Sequence, residues 1–101
     1  MTRFVVLDSG PLGLLTHSKP NPEAQACVRW LRSHLSAGTS IVVPEIADYE
    51  IRRELLRLGL TKGLLLLESI LTQGDVRYLP INTHAIRRAA EYWAASGAAD
   101  G

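Results

Sequence analysis

The chain has 101 residues, 47% of them hydrophobic and 21% charged, with a formal net charge of +1. That is enough for one compact domain and too little for two, and the balance excludes a wholly disordered polymer. The single cysteine, Cys27, excludes an internal disulfide and a cysteine-based zinc site, and it suits a reducing, cytoplasmic setting. The apolar start Phe4–Leu7 is too short for a secretory signal, and Leu64–Leu67 falls far short of the roughly 20 residues of a membrane span, so no membrane association is expected. A net charge this small neither demands nor excludes nucleic acid.

Residues 3–8 predict a buried strand, because Phe4, Val5, Val6 and Leu7 are apolar without alternation, as in a parallel strand covered on both faces. Asp8-Ser9-Gly10-Pro11 breaks it, and a short helix is expected over 11–16. Asn21-Pro22-Glu23 is a helix start, with Asn as N-cap, Pro at the first helical position and an acid in the first turn. Ala24, Cys27, Val28, Leu31 and Leu35 form its apolar stripe, and Gly38 ends it.

Residues 40–43 read as a second strand closed by Pro44, followed by a helix over about 45–58 that stops at Gly59. Its buried side is expected at Ala47, Ile51, Leu55 and Leu58. Thr61 is the expected cap of another helix, and Val76–Leu79 make a third strand. Asn82 caps a last helix, with Ile81 and Ile86 spaced as a hydrophobic staple and Ile86, Ala89, Ala90, Trp93 and Ala94 as its inner stripe. Gly97 ends it, and 96–101 resembles a frayed tail. Strands alternating with helices, without a linker or repeat, predict one α/β unit with a parallel sheet.

In open parallel sheets, ligands bind outside the carboxyl ends of the strands. Asp8 occupies such an end, although Asp-Ser-Gly-Pro is also an ordinary turn sequence. Glu50 lies beside the apolar stripe of its helix, where it either reaches a cleft or pairs with a neighbour on a solvated face. Carboxylates that converge from separate segments suit Mg²⁺, a hard ion that takes oxygen ligands and keeps several waters.

Three blocks together carry a family resemblance. Val5-Val6-Leu7-Asp8-Ser9-Gly10-Pro11-Leu12 resembles the opening of a PIN domain, the nuclease fold of VapC-like toxins. Val42 to Leu55, through Pro44, Glu45 and Glu50, resembles its second block, and Tyr78-Leu79-Pro80-Ile81 with Ala85, Ala89 and Ala90 resembles its third strand and following helix. The resemblance runs to about residue 95. It implies a three-layer α/β/α fold with a parallel sheet, and an endoribonuclease that depends on Mg²⁺ or Mn²⁺. By the same resemblance Asp8 and Glu50 are metal ligands, and Ser9 supports the metal or its water. Family members that are toxins pair with a small antitoxin and often dimerise.

The family carries a third acidic block, usually an Asp pair, soon after the position of the Trp93 helix. Here only Asp100 remains there, and the last strands of the fold are missing. The resemblance is therefore to a C-terminally shortened PIN domain spanning 1–101. Three states follow: an inactive remnant that serves as an interaction module, a homodimer whose partner chain covers a bare edge at the first strand, or a protein longer than this sequence.

Arg52 and Arg53, on the helix of Glu50, are candidate contacts to RNA phosphates, with solvation of an outer face as the alternative. Arg57, Arg87 and Arg88 share that ambiguity. His17, His34 and His84 show no metal-ligand spacing, and Cys27 reads as a small core residue. Trp30, Trp93, Tyr49 and Tyr92 read as packing groups rather than base-stacking platforms. A receiver-like signalling domain would need an acidic pair ahead of Asp8 and a later strand-end Lys, and neither is present.

Overall fold

Three parallel strands and five helices alternate along the described part of the chain, residues 3–96 of the computed structural model. The elements are β1 (Phe4–Val6), α1 (Ser9–Leu15), α2 (Pro22–Ser36), β2 (Ser40–Pro44), α3 (Glu45–Leu58), α4 (Thr61–Leu71), β3 (Val76–Leu79) and α5 (Thr83–Ser96). The sheet runs in the order β1-β2-β3, with Val5 opposite Ile41 and Val43 opposite Tyr78. β1 therefore lies at an edge, and β2 is its one strand partner among the described residues.

Alternation along the strands sorts the sheet into two faces. Leu7, Ile41 and Val43 point to one face and are fully buried there with Leu12 and Leu67; Leu15, Ala47, Leu55 and Ile70 complete this core. Cys27, Val28, Leu31 and Leu35 of α2 pack against it, as their spacing predicts. The other face carries Phe4, Val6 and Val42. α5 crosses this side, where the Tyr92 ring meets the Phe4 ring edge-on at 4.6 Å. Helices on both faces are compatible with a three-layer α/β/α fold.

Local chemistry sets most of the boundaries. The Asn21 side chain accepts the N–H groups of Glu23 and Ala24 at 2.9 and 3.1 Å. Asn82 accepts the Ala85 N–H at 2.7 Å. α2 and α3 both end in Schellman motifs. Gly38 has φ 78° and Gly59 φ 66°, in the left-handed region where a Cβ is strained. Each glycine N–H bonds back to Leu35 or Leu56, and the next residue's N–H reaches His34 or Leu55.

Several expectations need correction. β1 is shorter than 3–8, and α1 begins at Ser9 rather than 11 because Asp8 itself caps it. Leu60, not Thr61, occupies the cap of α4, without a side-chain bond; the Schellman turn delivers the chain directly into that helix. Leu58 is 52% exposed rather than buried. Ile81 and Ile86 are 49% and 61% exposed, so they close no staple. Instead the Glu45 carboxylate accepts the Ile81 N–H at 2.7 Å and ties that turn to α3. Ala85 is the buried residue in the first turns of α5, a phase one residue from the predicted stripe. The side chains of Ala89 and Trp93, and residues 97–101, lie outside the described residues.

Candidate functional site

The chain leaves each parallel strand at the same edge of the sheet, and two acidic side chains follow from that edge. Asp8 comes directly after the buried Leu7 and is the N-cap of α1. Its Oδ1 accepts the Ser9 N–H at 3.0 Å, and its side chain makes no other protein hydrogen bond among the described residues. The carboxylate is exposed. It opens onto a recess of about 280 Å³ walled by Val6, Val42, Pro44, Ile46, Leu79 and Tyr92.

Glu50 stands in the second turn of α3, the helix that leaves β2 at Pro44. It is exposed and forms no salt bridge among the described residues. α1 packs against α3 closely enough that a Cβ on Gly13 would lie 3.3 Å from Ile51 Cδ1. The two acids thus sit on adjoining helices that begin beside adjoining strands. Glu50 does not line the recess at Asp8, so the two acids do not share that cavity.

Among the described residues, no three His, Cys, Asp or Glu side chains gather closely enough to hold a metal ion. Mg²⁺ can be held by a single carboxylate, with water and substrate phosphate completing its shell. The oxygen of Asp8 left without a protein partner is the observation that fits such a ligand.

The two arginines have different surroundings. The Arg52 guanidinium is occupied within the protein, with Nη2 3.0 Å from Asp48 Oδ1 and Nη1 2.6 Å from Glu68 Oε1. Burial alone would lower its pKa, and the bonds to Glu68 and Asp48 outweigh that, so the group is held more firmly charged than usual. Arg53 projects outward, and its guanidinium lies 5.6 Å from the centre of the Tyr49 ring. Tyr49 is 54% exposed and Trp30 39%, so neither is the packed group the sequence suggested. Tyr49, Glu50 and Arg53 share one outward stretch of α3 at helical spacing.

The acid that sequence reasoning passed over is Asp48, which is 8% exposed. It accepts the Tyr78 hydroxyl at 2.6 Å and the Arg52 Nε at 3.2 Å. Burial first, then the hydrogen bond and negative charge of Asp48, push the Tyr78 hydroxyl well above its ordinary pKa. The chain Tyr78–Asp48–Arg52–Glu68 joins β3, α3 and α4 and fixes the helix that carries Glu50. The i,i+4 spacing of Asp48 and Arg52 was a readable sign of pairing; the partners on β3 and α4 were not.

None of the described helices is long and apolar enough to cross a membrane. No family model, curated protein or solved structure matches this chain.

Proposed function

We propose that this chain is a PIN-like, metal-dependent endoribonuclease that acts on single-stranded RNA in the cytoplasm. The observation that carries the reading is the exposed Asp8 carboxylate at the carboxyl end of β1, with Glu50 exposed on α3, the helix that leaves β2. The resemblance of the three sequence blocks supplies the chemistry. Asp8 and Glu50 would hold Mg²⁺ or Mn²⁺, which supplies a Lewis acid and an activated water when bound. Ser9 stands beside Asp8 and orients its carboxylate through the backbone N–H. Arg53, outward on the same helix as Glu50, contacts the RNA phosphates, and Tyr49 beside it offers a ring face. In a toxin–antitoxin pair, an antitoxin would cover this edge.

A second reading is an inactive PIN-like module that associates with an antitoxin or a sister chain. The want of a third acid near Asp8 and Glu50 among the described residues favours it. Exposed Leu56 and Leu65, at 61% and 66%, and the β1 edge offer surfaces for association.

Incubation with single-stranded RNA and Mg²⁺ or Mn²⁺ separates the two. The enzyme reading expects cleavage that falls at least about a hundredfold in Asp8→Asn and in Glu50→Gln, the scale of losing a group that stabilises transition-state charge. Circular dichroism should be unchanged, because both side chains are exposed. No cleavage with either ion overturns the enzyme reading in favour of the module. Full activity in Asp8→Asn overturns the site.

A further inference from the structure

A second concave region lies away from the acidic edge, between the loop 17–20 and one face of α2. It has a volume of about 460 Å³, well within the range of small-molecule sites. His17 and Lys19 line its loop wall, and Arg29 and Arg32 line its helix wall. No carboxylate is among the described side chains that line it.

The basic groups of this cavity have no acid beside them within its lining. Arg52, Arg57 and Arg88 each pair with an acid. Lys19, Arg29 and Arg32 form no salt bridge among the described residues. Arg29 and Arg32 stand at i,i+3 on one helix face, where like charges repel each other. A cleft walled by one sign of charge focuses its field and concentrates the opposite ion. The loop wall is tied down locally, since His17 Nδ1 donates to the Lys19 carbonyl at 3.0 Å, the only role a carbonyl allows it. That leaves Nε2 as the free ring nitrogen. Between the charged walls, Leu14, Leu15 and Val28 supply an apolar floor.

We infer that this cavity binds a phosphate ester of about nucleotide size, with its phosphate between Arg29, Arg32 and Lys19 and its base or other apolar body on Val28. Guanidinium groups match phosphate oxygens in pairs of hydrogen bonds, and the volume exceeds what a bare phosphate ion fills. The inference does not depend on the nuclease reading, because its residues belong to neither Asp8 nor Glu50. The same chemistry comes from a free nucleotide or from one nucleotide of an RNA strand.

The full chain, isotopically labelled, is titrated in separate arms with inorganic phosphate, adenosine 5′-monophosphate and a short single-stranded RNA. Backbone amide shifts are followed by NMR. Saturable shifts are expected at residues 17–19, 25–29 and 32, with the monophosphate binding more tightly than inorganic phosphate. Arg29→Gln/Arg32→Gln should weaken that binding by about tenfold or more, as should Lys19→Gln to a smaller degree. These side chains are exposed, so the variants should keep their helical circular dichroism. RNA that binds more tightly than the monophosphate, through the same arginines, assigns the site to a strand; the monophosphate alone assigns it to a free ester. Either supports the site. No saturable shift up to about 10 mM of any probe, or equal binding in the folded Arg29/Arg32 variant, overturns it.

Discussion

Replacing Asp48 by alanine tests the polar network that holds α3 between β3 and α4. The carboxylate accepts the Tyr78 hydroxyl at 2.6 Å and two Arg52 nitrogens at 3.0 and 3.2 Å, while only 8% exposed. A hydrogen bond to a charged group contributes about 1.5–3 kcal/mol, and an isolated buried ion pair that loses a partner costs about 3–5 kcal/mol. Two facts reduce these figures here. Arg52 is 34% exposed and keeps Glu68 at 2.6 Å, so its pair with Asp48 behaves more like a surface pair of about 0.5–1 kcal/mol. Tyr78 is 41% exposed, so its freed hydroxyl regains water. The expected loss for Asp48→Ala is then about 2–3 kcal/mol, and for Tyr78→Phe about 1–2 kcal/mol, because the second change leaves Asp48 its arginine. At about 4–8 °C per kcal/mol in a domain of this size, Asp48→Ala should lower Tm by roughly 10–20 °C. Urea unfolding followed by circular dichroism measures both variants and the double variant, and the cycle should return a coupling of about 1 kcal/mol. A loss under about 0.5 kcal/mol for Asp48→Ala, or additive single changes, would refute the network as a structural tie.

The same hydroxyl predicts a pH dependence. Its pKa is raised in the folded state by burial and by Asp48, from an ordinary value of 10.0, so the folded chain holds the proton more tightly. That stability is fully present below the ordinary value and is lost as pH rises above it. Urea midpoints taken on either side of that value should therefore fall less steeply in Tyr78→Phe than in the native chain; equal slopes contradict the assignment. Gly63→Ala should be destabilising even though alanine favours a helix by about 1 kcal/mol. Its Cβ would meet Leu55 Cδ2 at 2.6 Å and the Thr16 carbonyl at 3.0 Å. Leu55 can move and the backbone oxygen cannot, so a net loss of about 1–2 kcal/mol is expected, and a rise in Tm would show that α4 shifts freely. Cys27 is half-buried, and burial raises its thiol pKa above the ordinary value of 9.0. Its labelling by a thiol reagent near neutral pH should be slower than that of free cysteine and should accelerate in urea. Equal rates would place the thiol in solvent.

The order of the elements was legible in the residues alone. Local chemistry wrote it: Asn21 and Asn82 as caps, Gly38 and Gly59 as left-handed stops, and the short segment Val76–Leu79 between Gly74 and Pro80 that became β3. The candidate acids were legible too, since Asp8 follows an apolar strand and Glu50 lies on a periodic helix. Their setting was not. Burial of Asp48 depends on Tyr78, thirty positions away along the chain, and occupation of Arg52 depends on Glu68 of the next helix. The phase of α5 likewise answers to the sheet face it crosses, which buries Ala85 and leaves Ile86 in water. The cationic cavity joins a loop to a helix face whose arginines look, in sequence, like ordinary solvated charges. Caps, turns and periodicity act over a few residues and can be read locally. Which charges are paired, and which are left to face one another, is decided only when distant segments are packed together.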